Sequence, residues 1–124
     1  MTTKKRIYVA GPMTGIKDYN QQAFRNITDL LRSEGWEVIS PVEMGEEIGL
    51  TPEALETSPD LLKWLMDEEL AAVDICDAIM LLRGWTTSKG ARLELSRALA
   101  WNLEIIYELD YMQNGSAYTS RRVA

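Results

Sequence analysis

Three stretches of this sequence carry side chains able to do chemistry. The first is Gly84-Trp85-Thr86-Thr87-Ser88-Lys89-Gly90-Ala91-Arg92-Leu93-Glu94. It sets hydroxyls and a glycine at the mouth of a predicted helix. A helix N-terminus offers free N–H groups and partial positive charge, a seat for phosphate. Glu94 lies about one turn in, where the same dipole should hold a carboxylate ionised. An ionised carboxylate beside an anion site is a candidate nucleophile toward a sugar phosphate. The plain alternative makes Ser88 an N-cap and Glu94 a solvated helix residue.

The second stretch is Tyr8-Val9-Ala10-Gly11-Pro12-Met13-Thr14-Gly15. Gly11 and Gly15 allow the backbone to approach a ligand closely. The spacing is neither G-x-G-x-x-G nor a Walker loop, so no dinucleotide or triphosphate grip is signalled. An ordinary strand-to-helix turn explains it equally. The third is acidic: Asp67, Glu68, Glu69, Asp74 and Asp77. Most of these should form a solvated helix face. Asp77, directly before an apolar strand, is more suggestive, though a turn there explains it as well. The set has no recognised metal spacing, so neither a metal nor a cofactor is expected.

Composition narrows the chemistry further. The 124 residues include no histidine and one cysteine. Histidine acid–base catalysis, Ser-His-Asp triads, histidine metal sites and cysteine metal clusters are thereby excluded. Cys76 reads as a small core residue, with no local base to activate it. Carboxylates, tyrosine, lysine, hydroxyls or backbone amides must do any catalysis. Thirteen basic residues against 19 acidic ones give a net charge of −6. The one dense basic run, Lys4-Lys5-Arg6, adjoins the first strand, and residues 33–62 contain no Lys or Arg. A nucleic-acid polymer is not the expected partner; a small nucleotide remains open. No apolar run approaches the roughly 18 residues that span a bilayer. Ile7–Ala10 is too short for a signal peptide, so a soluble, cytoplasmic protein without a membrane partner is expected.

The elements that would position these residues follow from periodicity. Ile7–Ala10 reads as a strand ended by Gly11-Pro12. A helical period starts at Asn20, with Ala23, Phe24, Ile27, Leu30 and Leu31 on one face and Gly35 as its C-terminal cap. Residues 36–39 form a second strand, stopped by Ser40-Pro41. Residues 42–58 hold one or two short helical turns. Ser58-Pro59 begins a helix with Leu61, Leu62, Leu65, Met66, Leu70 and Val73 as its stripe. Residues 78–82 suit a strand buried on both faces. Ser88–Asn102 forms a helix with Ala91, Leu95, Ala98 and Leu99 inward, and 105–107 a fourth strand. The strand–helix alternation predicts a single-domain α/β fold: a doubly wound, mostly parallel sheet with helices on both faces. The domain is expected over residues 1–110, with a polar arm over 111–124. Ligands of such sheets sit beyond the carboxyl ends of the strands, which points to the loops after Ala10, Ile39 and Leu82. Trp36, Trp64, Trp85 and Trp101 read as core or interface anchors, with Trp85 the candidate for base stacking.

Taken together, these segments resemble the nucleoside 2-deoxyribosyltransferase superfamily, most closely its small, often phage-encoded DUF4406 members. The resemblance rests on residues 7–15, on Cys76-Asp77-Ala78-Ile79, on Leu82-Arg83-Gly84-Trp85, and on Ser88-Lys89-Gly90-Ala91 with Glu94. It implies a flavodoxin-like sheet and a homodimer or higher homo-oligomer. It implies Glu94 as the nucleophile on C1′ of a deoxyribosyl group, oriented by Tyr8. Ser88 and Gly90 match the loop around the sugar's 5′ end. Gly11, Met13 and Gly15 match the loop lining the base pocket. An assisting aspartate of the family falls on Glu69, a longer acid. Glu69 or Asp77 would protonate the departing base. A neighbour's C-terminal region often completes such a site, and Asp110, Asn114 and Ser116 are the candidates here. The implied reaction is cleavage or transfer of the base–deoxyribose bond of a small nucleoside or nucleotide through a covalent glutamyl–sugar intermediate. Two other readings stay open: a non-catalytic module for a nucleotide or an ADP-ribose-like ligand, and an oligomeric interaction protein.

Overall fold

A computed structural model describes residues 4–114. Four strands, β1 (Arg6–Ala10), β2 (Glu37–Ile39), β3 (Ala78–Leu81) and β4 (Glu104–Tyr107), form one sheet in the order β2-β1-β3-β4. All pairings are parallel, with Ile7 opposite Ala78, Tyr8 opposite Ile79 and Ile79 opposite Ile105. Parallel neighbours need crossovers, and helices supply them: α1 (Gln21–Ser33), α2 (Pro41–Glu47), α3 (Pro52–Thr57), α4 (Pro59–Asp74) and α5 (Lys89–Ala100). The expected α/β architecture is therefore observed.

Strand periodicity divides the core into two layers. Ile7 and Val9 join Phe24, Ile27 and Leu31 of α1 on one face. Tyr8 and Ala10 join Ala72 and Val73 of α4 and Ala91 and Ala98 of α5 on the other. All four residues Ala78–Leu81 of β3 are buried, as a strand covered on both faces requires. Each fully buried Ile or Leu contributes roughly 1.5–3 kcal/mol, so this double layer fixes β1 and β3 as the rigid centre.

Local signals set the helix starts. The hydroxyls of Ser58 and Ser88 accept from the amides of Leu61 (3.3 Å) and Ala91 (3.1 Å). Gly35 ends α1 at φ +94°, the left-handed conformation that glycine adopts freely. Pro41 and Pro52, rather than only stopping what precedes them, open α2 and α3 at the first turn.

Several expectations change. Leu99 is 47% exposed and Leu62 50% exposed, so neither belongs to the inward stripe of its helix. Trp101 is 60% exposed, its indole N–H donating to Asp74 at 2.7 Å, and Trp64 also faces out, so neither is a core anchor of the single chain. The polar arm expected from Tyr111 is helical through Asn114: α6 spans Glu108–Asn114. Tyr111 is buried in the α1 layer and its hydroxyl donates to Glu34. One inward aromatic ring outweighs the polar residues around it. Residues beyond Asn114, Ser116 among them, lie outside the described region. Before α1 the chain makes a left-handed turn, with Asp18, Tyr19 and Asn20 at φ +52°, +55° and +61°.

Candidate active site

Tyr8 sits mid-strand on β1 and points into the α4/α5 layer, fully buried. Its hydroxyl donates to Glu94 Oε2 at 2.5 Å. On α5 the buried positions are Ala91, Glu94 and Ala98, spaced i, i+3, i+7; Glu94 thus occupies a core position and is 4% exposed. On α4 the buried positions are Leu65, Glu69, Ala72 and Val73; Glu69 likewise replaces an apolar residue in the stripe and is 7% exposed. Two carboxylates and a phenol therefore converge beneath the middle of β1.

Burial pushes the Glu69 carboxyl up to about 7. Burial, and then the charge of Glu69, raise Glu94 well above the ordinary carboxylate range, while the Tyr8 hydrogen bond works in the opposite direction. Burial and the neighbouring Glu94 and Glu69 charges raise the Tyr8 hydroxyl. Among the described residues, no Lys or Arg forms an ion pair with Glu69 or Glu94. The helix dipole thus does not decide the state of Glu94, contrary to expectation. Glu94 lies beyond the first turn of α5, where that field has decayed, and desolvation dominates.

The neighbouring loops are closely fitted. A Cβ on Gly11 would stand 2.8 Å from Leu82 Cβ, so absence of a side chain lets β1 and β3 leave the sheet side by side. Gly15 is exposed at φ +82° with open space around it. Met13 packs on the opposite, α1-side core layer. Trp85 is half-buried against the layer that holds Tyr8, its ring 6.4 Å from that of Tyr107. Ser88 caps α5, and the terminal methyl of Met66 lies where a Gly90 Cβ would be, at 2.9 Å.

Asp77 does not join this cluster. Its carboxylate accepts from the Arg6 amide at 2.8 Å at the amino ends of β1 and β3. A residue before a parallel strand stands at the edge opposite the ligand side; Asp77 clamps the start of the sheet. Asp110 lies on α6, which Asn114 ends. Cys76 is a core residue, its thiol pushed up to about 12 by burial. A groove of about 460 Å³ opens at the β2 edge between Met44 and Ile75, and neither Tyr8, Glu69 nor Glu94 lines it. Among the described residues no helix is long and apolar enough to cross a membrane.

The sequence reading missed the contacts that tie the loops together. The Asn20 side-chain amide donates to the Pro12 carbonyl at 2.9 Å, and the Glu108 carboxylate accepts from the Arg83 amide at 2.8 Å. Glu108 is 25 residues from its partner, and no local pattern announces such a pairing.

Comparison with known proteins adds the family. No curated protein matches the chain. Among solved structures, a CMP N-glycosidase of Clostridium botulinum is similar, with a TM-score of 0.50 and 21% identity over 83% of this chain and 67% of that one. That likeness bears on the fold alone, a parallel sheet flanked by helices. The family model described as a domain of unknown function (DUF4406) matches residues 5–107, and the chain belongs to that family.

Proposed function

We propose that this protein is an N-glycosidase or 2-deoxyribosyltransferase acting on a small nucleoside or nucleotide, with Glu94 as nucleophile and Glu69 as the proton carrier. The observation that carries this reading is the buried Tyr8–Glu94 hydrogen bond beside a second buried carboxyl, with no cation among the described residues ion-paired to either. Two close carboxyls in a dry site cannot both ionise cheaply, so they hold a proton between them. Burial and the Glu69 charge favour that proton on Glu94, while the Tyr8 hydrogen bond favours charge there; the reactive form is the one with Glu94 ionised and the proton on Glu69. This is the state that glycoside cleavage requires.

In the first step Glu94 Oε attacks C1′, and the C–N bond electrons leave with the base. Glu69 gives its proton to that base. In the second step water attacks C1′ of the glycosyl ester and passes a proton to Glu69. Glu94 departs as carboxylate, restoring both groups; a second base in place of water gives transfer. Developing positive charge on the sugar is stabilised by the anionic site. The inherited candidates Ser88 and Gly90 at the 5′ end, and Gly11, Met13, Gly15 and Trp85 around the base, complete the reading. In this reading the enzyme is homo-oligomeric, as its superfamily resemblance implies, and cytoplasmic, as its short apolar N-terminal stretch suggests; the N-glycosidase name of the similar clostridial structure supports the reaction class.

The test is chromatography of freed or exchanged base from CMP, deoxynucleosides and their monophosphates, with and without a second base. Wild type should release base, and Glu94→Ala should release none while retaining its fold. Equal release by that variant refutes the assignment. The alternative is a nucleotide or ADP-ribose-like binding module, favoured by the longer Glu69 in place of an aspartate. It predicts thermal stabilisation by ligand, in wild type and Glu94→Gln alike, without product.

A further inference from the structure

We infer that Asn20 and Glu108 are positioning residues, clamping from opposite sides the two loops that leave β1 and β3. The inference rests on the reading that these loops hold the substrate. Ala10 and Leu81, the last residues of the two strands, are paired in register, so the loops start side by side. They also touch. Leu82 fills the space a Gly11 side chain would need, and Pro12 Cγ lies 3.2 Å from where a Gly84 Cβ would be. Neither loop can shift without the other.

Each outer side of this unit has one anchor. On the β1 side the Asn20 amide donates to the Pro12 carbonyl at 2.9 Å. On the β3 side the Glu108 carboxylate accepts from the Arg83 amide at 2.8 Å, and Tyr107, next in chain, meets the Trp85 ring. The clamp therefore runs Asn20, Pro12, Gly84, Arg83, Glu108. Its β1 anchor is held in an unfavourable backbone state. Asp18, Tyr19 and Asn20 all have positive φ, a conformation most L-residues avoid. Glu56 of α3 faces the Tyr19 hydroxyl closely enough to raise its pKa. Strain of this kind persists where surrounding contacts over-determine it, often beside functional sites. Asn20 and Glu108 make no hydrogen bond to Tyr8, Glu69 or Glu94. They act through the loops.

The choice of variants separates positioning from stability. Glycine accepts φ +61° without strain but donates nothing to Pro12, so Asn20→Gly should be as stable as wild type in urea. The same variant should lower the backbone order parameters of residues 11–15 and 83–87. It should also raise KM, or Kd in the binding-module reading, for CMP or the deoxynucleotide that wild type handles best by roughly five- to tenfold, the share of one hydrogen bond, with kcat little changed. Glu108→Ala should do the same and free the Arg83 amide to exchange, whereas Glu108→Gln, which keeps an acceptor oxygen, should match wild type. Unchanged loop order in both Asn20→Gly and Glu108→Ala overturns the clamp, whatever the activity. A wild type that neither binds nor cleaves any nucleotide overturns the functional reading instead, and the order parameters still decide the clamp.

Discussion

The Tyr8 hydroxyl and the Glu94 carboxylate, 86 residues apart in sequence, meet at 2.5 Å inside the α4/α5 layer. The contact opposes the desolvation that pushes Glu94 toward its neutral form. Tyr8→Phe removes the donor and keeps the ring. A hydrogen bond to a charged group is worth about 1.5–3 kcal/mol, so base release should fall roughly ten- to a hundredfold. The acid limb of the rate profile should also move to higher pH, because Glu94 then ionises less readily. A pH–rate profile of the variant checks both; an unshifted acid limb would count against Tyr8 as the group that tunes Glu94.

Glu69 makes stability depend on pH in a direction opposite to that of most carboxylates. Its folded pKa, about 7, stands above the 4.5 of an ordinary glutamate. Between those values the folded state binds the proton that the unfolded state has lost, so stability falls as pH rises through that window. For Glu69 titrating alone the loss is about 3 kcal/mol. Thermal melts should therefore show a lower midpoint at pH 8 than at pH 6, and Glu69→Gln should flatten the slope and raise the midpoint at pH 8. Parallel curves for variant and wild type would contradict the assignment.

Gly11→Ala tests the fit of the two strands. Its Cβ would meet the Leu82 side chain at 2.8 Å, and overpacking of this kind costs about 1–3 kcal/mol. Gly15→Ala has room around it but a positive φ, so it should cost only about 1 kcal/mol. Urea denaturation of the two variants should rank Gly11→Ala as the less stable.

Asp77→Ala should separate the two ends of the sheet. It removes the acceptor of the Arg6 amide at the amino ends and should lower stability by on the order of 1 kcal/mol. Base release at saturating substrate should stay within about twofold of wild type. A large drop in kcat with an intact fold would return Asp77 to the reacting groups.

Much of this was legible in the chain itself. Alternating strand and helix signals, the apolar run at Ala78–Leu81 and the caps at Ser58 and Ser88 declare their elements locally, because burial on both faces and orphan helix amides each demand particular residues at particular spacings. Those signals determined the parallel α/β fold and the loops worth searching. Asp67, Glu68 and Glu69 are three acids in a row, and composition cannot say which one turns inward. Helical rotation and the packing of α4 against α5 chose Glu69. The Tyr8–Glu94 pairing was expected from the family resemblance, but tertiary structure alone decided that Glu94 is dry, that Asp77 stands at the opposite edge, and that Tyr111 draws α6 into the core. Each is a contact between residues far apart in sequence, and its energy depends on how completely the surrounding fold excludes water.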